Sequence, residues 1–200
     1  MAGQTLAPKA MPYVMPNVMP KIAVLVIDIQ RGAFDGARCP VIDRAAELVA
    51  NASALVAAAR AAGSPVVFIQ HLDEPGAAFE KDTPHGELHG DVAPQPGEAV
   101  VRKRASSAFE NTELANTLQG LGVQQLVLCG LQSEYCVYNT GKAALALGYG
   151  VRLAADGHST WPSGGRSSEA ISAGVNAELH ALGAVLASTA SLVVSLRGRA

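Results

Sequence analysis

Ile22-Ala23-Val24-Leu25-Val26-Ile27 is an unbroken apolar run that ends in the carboxylate of Asp28. Alternation of apolar and polar residues would mark a strand with one wet face, whereas a continuous run of this length fits a strand covered on both faces. Val66-Val67-Phe68-Ile69 and Leu126-Val127-Leu128-Cys129 repeat the pattern, and Val100-Val101 is a shorter version. Between the first two runs, residues 41–62 are Ala-rich, carry Leu48, Leu55 and Val56 at helical spacing, and stop at Gly63. The same reading predicts helices over 112–119, 136–147 and 168–182, strands over 151–155 and 184–187, and a final helical segment. Strand and helix alternate throughout, which requires parallel pairing with right-handed crossovers. The expected architecture is α/β: a single-domain, doubly wound three-layer α/β/α sandwich with a mostly parallel central sheet.

Composition narrows the function. A chain of 200 residues, 49% hydrophobic and 16% charged, suits one core. Fifteen basic against seventeen acidic residues (net charge -2) leave no basic surplus to hold a phosphate backbone, so a nucleic-acid partner is not expected. No apolar stretch nears the roughly 20 residues of a membrane span, so no membrane partner is expected. The cysteines, at 39, 129 and 136, form neither a CxxC pair nor an even disulfide set, which suits a reducing, cytoplasmic setting. Prolines at 8, 12, 16 and 20, with methionines at 11, 15 and 19, forbid a helix across residues 1–20. That segment is read as an extended arm, and residues 21–200 as the folded domain.

Ligands of an open parallel sheet bind beyond the carboxyl ends of its strands, where the strand order reverses. Three chemically competent residues fall there. Asp28 closes the first strand, Lys103 follows Val100-Val101, and Cys136 opens the helix after the third core strand. A cysteine at a helix N-terminus faces unpaired N–H groups and the positive end of the dipole, both of which favour thiolate. A nearby carboxylate could exchange its proton, and an ammonium could hold that carboxylate ionised. Each residue alone has a plainer explanation, as a turn former, one of a basic trio with Arg102 and Arg104, and a small core side chain.

The sequence around these residues resembles the isochorismatase-like cysteine hydrolases. The resemblance rests on Ala23–Gln30 with Phe34; on Val101-Arg102-Lys103-Arg104 leading to Ser107-Ala108-Phe109 and Thr112-Glu113-Leu114; and on Cys129-Gly130-Leu131-Gln132-Ser133-Glu134-Tyr135-Cys136-Val137 with Thr140 and Ala143. It closes with Gly148-Tyr149-Gly150-Val151 and Asp156-Gly157-His158-Ser159-Thr160. The resemblance implies a catalytic triad of Asp28, Lys103 and Cys136. It also implies a cis peptide between Leu131 and Gln132 and an oxyanion hole from the N–H groups of Gln132 and Cys136. The implied reaction is hydrolysis of a small-molecule amide through a thioester, by a homo-oligomer. Vinyl ether or ester hydrolysis, and a catalytically silent binding or scaffold role, are the other readings of the same fold.

Nicotinamidases of the family carry an Asp-x-His metal motif after the second strand, where this chain reads Gln70-His71-Leu72-Asp73. His85 and His89 lie among Pro84, Gly86 and Gly90, which oppose the helix that would aim them at one ion. No metal and no cofactor are therefore expected. Gly120-Leu121-Gly122 precedes a strand instead of following one, so it is no dinucleotide loop. Phe34, His71, Tyr135 and Trp161 are the expected substrate contacts. Cys129 and Cys39 are read as structural, and His158 and His180 as surface residues or residues one layer behind the site. The polar stretch over 72–98 is too broken by Pro and Gly to assign, and loops of that length are more often functional than idle.

Overall fold

The computed structural model describes residues 19–198. The expected arm up to residue 18 lies outside the described residues. Six strands form one all-parallel sheet: β1 (Ile22–Ile27), β2 (Val66–His71), β3 (Ala99–Lys103), β4 (Gln125–Leu131), β5 (Gly150–Ser159) and β6 (Val185–Ala187), in the order β3-β2-β1-β4-β5-β6. β1 lies centrally, and its run Ile22–Ile27 is buried at every position, as a strand covered on both faces must be.

Helices cover both faces. α1 (Ala45–Ala61) and α5 (Thr189–Arg197) share one core with Val24, Val26, Phe68 and Val127. On the other face, α2 (Leu114–Gly120), α3 (Tyr138–Ala146) and α4 (Ser168–Ala181) pack against Leu25, Ile27, Ile69 and Leu128. Odd and even positions of one strand thus feed opposite cores, which is why the apolar runs do not alternate. The three-layer, doubly wound α/β/α architecture is as expected.

Two departures matter for the site. β5 runs to Ser159 instead of ending near 155, because the register shifts after Leu128 and Gly130 then pairs with His158. Asp156-Gly157-His158 looks like a turn in sequence, but the shift keeps it on the ladder. The helix expected from 136 begins as a π-type turn, Ser133–Val137, that leads into α3. The chain over 72–98 holds two short 3-10 turns, Pro84–Gly86 and Gly90–Val92, folded over the carboxyl ends of β1 and β2. It lies close against the turn Arg31–Ala33: a Cβ on Gly32 would sit 1.9 Å from the Ala78 carbonyl oxygen.

Candidate active site

The strand order reverses between β1 and β4, and the candidate residues come from the strand ends around that point. Asp28, just past β1, has φ 53°, a left-handed conformation that Asp tolerates better than most residues. Its N–H donates to the Ile69 carbonyl at 3.0 Å, tying the bend to β2. Lys103 is the last residue of β3. Beyond β4 the Leu131–Gln132 peptide is cis, and the π-type turn brings Cys136 back toward β1.

These elements bring the three expected residues together. Lys103 Nζ lies 2.7 Å from Asp28 Oδ2 and 3.1 Å from Cys136 Sγ. The Asp28 and Lys103 side chains are 1% and 0% exposed, so the ion pair is out of water. The same ammonium lies 2.8 Å from His71 Nδ1 and donates to the Ala105 carbonyl at 3.2 Å.

Burial sets the protonation states. It raises the Asp28 carboxyl above the ordinary carboxylate value, against the opposing charge of Lys103. It also pushes the Cys136 thiol up to about 12, with the negative charge of Asp28 adding to the effect and Lys103 opposing it. Burial thus favours the neutral thiol and opposes the thiolate that the helix-end position favours. The N–H groups and the dipole at the helix end are local to residue 136, whereas the desolvation and the carboxylate alongside come from the folded chain.

The corner opens onto a cavity of about 430 Å³ lined by Asp28, Cys136, Gln132 and Ser106, and walled by Phe79, Tyr135 and Trp161. Of the expected substrate contacts, His71, Tyr135 and Trp161 line it and Phe34 does not. Phe34 caps the turn Arg31–Ala33, and its ring packs edge-on against His89 at 4.8 Å. Trp161 is anchored by its Nε1–H, which donates to the Pro40 carbonyl at 2.6 Å.

Sequence reasoning missed Asp73, Ala78, Phe79 and Ser106, all in loops at strand ends, and set Cys39 aside as structural. Cys39 lines the cavity while its thiol donates to the Gly32 carbonyl at 3.3 Å. The position of Ser106 just past the end of β3 could have found it. Nothing local could have found Phe79, since only the fold of the 72–98 stretch turns it inward. Cys129 is fully buried in β4, as read.

The other histidines have separate partners. His85 Nδ1 pairs with Asp35 at 2.5 Å, and His89 Nδ1 accepts from the Asp91 N–H at 3.3 Å, so the two do not converge on one ion. His180 Nδ1 lies 3.0 Å from the Ala184 carbonyl. His158 is not a surface residue: it is 1% exposed, with Nδ1 2.8 Å from Ser133 Oγ and Nε2 3.0 Å from Asn176 Oδ1. Ser133 Oγ also reaches Ser172 Oγ at 3.0 Å. The start of the turn that carries Cys136 is thereby pinned to β5 and α4.

Comparison with known proteins gives a concordant result. A family model described as the isochorismatase domain matches residues 22–191. Streptothricin hydrolase of Streptomyces noursei is 41% identical over 139 residues, covering 70% of this chain and 50% of that protein. The ureidoacrylate amidohydrolase RutB of Pantoea ananatis is 27% identical over 196 residues, covering 80% of this chain and 78% of that protein. This chain spans about half the length of the curated streptothricin hydrolases it matches. The crystal structure of an isochorismatase from Pseudomonas putida KT2440 superposes with a TM-score of 0.79 at 32% identity, covering 88% of this chain and 93% of the other. The family model spans most of the chain and the superposition agrees with it, so the chain belongs to the isochorismatase family.

Proposed function

We propose that the protein is a cysteine hydrolase that cleaves a C–N bond of a small molecule through a thioester on Cys136. One observation carries the reading: a buried ammonium stands between a carboxylate and a thiol, 2.7 Å and 3.1 Å away, and those two groups line a cavity of molecular size. The amidohydrolase among the relatives supports the C–N bond as the one cleaved.

In the proposed mechanism, Cys136 Sγ attacks the substrate carbonyl carbon while its proton passes to Asp28. This transfer moves one negative charge from oxygen to sulfur beside a fixed ammonium, so the net charge of the corner does not change. A raised carboxyl is also a better base for a reluctant thiol. The tetrahedral oxyanion rests on the N–H groups of Gln132 and Cys136, and one such donor typically lowers the barrier by about 3 kcal/mol. As the C–N bond breaks, Asp28 returns the proton to the departing nitrogen, and ammonia or an amine leaves. Water then gives a proton to Asp28 and adds to the thioester carbonyl; the C–S bond breaks, and Asp28 reprotonates the sulfur as the acid departs. Small size and an aromatic wall of Phe79, Tyr135 and Trp161 favour compact, partly apolar amides, ureas or lactams.

The test is ammonia or amine release from a panel of such compounds, with intact-mass detection of an adduct on Cys136. Cys136→Ala is expected to lower turnover by at least about a thousandfold, the scale of losing a nucleophile. Full activity in that variant would overturn the covalent route, and turnover of vinyl ethers or esters alone would overturn the C–N assignment.

A further inference from the structure

Besides the Ala105 carbonyl, three side-chain acceptors converge on one ammonium, and the proposed mechanism uses only two of these three. Asp28 Oδ2, His71 Nδ1 and Cys136 Sγ lie 2.7, 2.8 and 3.1 Å from Lys103 Nζ. Ligand atoms of these three residues fall within 4.8 Å of one another, a closeness that would suit a metal ion. Here the lysine ammonium stands at the focus instead. His71 is left without a part in the chemistry.

The donor roles along this chain of contacts follow from elementary counting. An ammonium has hydrogens and no lone pair, so His71 Nδ1 must accept. The imidazole is then neutral with its proton on Nε2, and Nε2 lies 3.0 Å from Asp73 Oδ1. Asp73 is held in turn by the Phe79 N–H, which donates to its other oxygen at 3.1 Å. The bond from His71 keeps the Asp73 carboxyl below its ordinary value, so it is a carboxylate and can only accept. His71 and Lys103 are register partners at the ends of β2 and β3, which puts their side chains on one face of the sheet.

Resting on the cysteine-hydrolase reading above, the geometry assigns His71 as the positioning residue for Lys103, with Asp73 fixing the His71 tautomer. Lysine carries a point charge on a flexible four-carbon stem, so its sequence position alone does not place the charge. His71 holds that charge between carboxylate and sulfur, where it stabilises whichever of the two is negative. It acts on the reaction only through Lys103.

Alkylation of Cys136 by iodoacetamide reads this arrangement without any substrate. Peptide mapping of the full-length chain separates Cys136 from Cys39 and Cys129. His71→Ala is expected to slow Cys136 alkylation at neutral pH by about 10- to 100-fold, the scale of one buried hydrogen bond to a charge. His71→Asn, whose amide oxygen can accept from the ammonium, should recover to within about threefold of the parent. Asp73→Asn should fall between the two. On any amide that is turned over, kcat should follow alkylation while KM moves little.

An unchanged alkylation rate in His71→Ala, or a change confined to KM, would overturn the assignment and make His71 a substrate contact. If His71→Ala does not fold, by circular dichroism, then parent-like alkylation in Asp73→Asn overturns it instead. If alkylation falls as expected but the parent cleaves no C–N bond, the positioning role stands and the C–N hydrolase reading fails.

Discussion

Asp28 and Cys136 illustrate how little of a residue's chemistry is intrinsic to it. Placed beside an ammonium in water, a thiol would ionise more easily; here burial outweighs that attraction and holds it neutral, its pKa up to about 12. The same burial raises Asp28. The sign of the pH dependence follows. In the proposed mechanism Asp28 must be ionised to accept the thiol proton, and an acid with a raised pKa is protonated sooner as pH falls. The acid limb of kcat/KM should therefore lie above the ordinary 3.8 of an aspartic acid. Asp28→Asn should lower turnover by roughly 10²- to 10⁴-fold, the range for loss of a general base. A limb at or below 3.8, or an active Asp28→Asn, would remove Asp28 from the base role. Asp28, Lys103 and Cys136 were readable in the sequence because chemistry at strand ends restricts residue type. Phe34 was misplaced because a ring beside the site can turn either way, and here it turns to His89.

Elements place these residues, and the π-type turn Ser133–Val137 is the least regular of them. Its anchor is His158, carried on the stretch of β5 that follows the register shift. Burial lowers the His158 pKa below 6.5, so the folded state prefers the neutral ring. The unfolded chain binds the proton more readily, so this stabilisation is present above pH 6.5 and is lost as pH falls below it. Replacing His158 with Gln should therefore lower Tm at pH 7.5 by more than at pH 5.5, as measured by thermal melts at both values. Ser133→Ala would strand a buried ring nitrogen and should cost about 1–3 kcal/mol in urea denaturation. An undiminished Tm gap at pH 5.5 would show that another group carries the acid sensitivity.

Across the whole molecule, the sheet closes neither edge. Among the described residues, β3 and β6 are the outer strands, and Val100, Val185 and Val194 stay exposed at 38%, 56% and 72%. No described helix is long and apolar enough to cross a membrane. Exposed apolar side chains on outer elements fit a surface that meets another copy, in line with the homo-oligomer implied by the sequence resemblance. Light scattering should give a mass of two or more chains. A mass of one chain at micromolar concentration would overturn that expectation.

The layer order of the fold and the meeting of Asp28, Lys103 and Cys136 beyond the strand ends were legible in the amino-acid order. Apolar runs report two-sided burial directly, and strand alternation with helices leaves few topologies open. The burial that raises the Cys136 thiol, the turning of Phe79 and Cys39 into the cavity, and the contact between His71 and Lys103 came from the folded chain only. Those depend on desolvation and on through-space distances between residues far apart in the chain, such as the 2.8 Å between His71 and Lys103. Local composition and periodicity carry no record of such distances, because they are set by how strands β2 and β3 are registered and by how the 72–98 stretch folds over their ends.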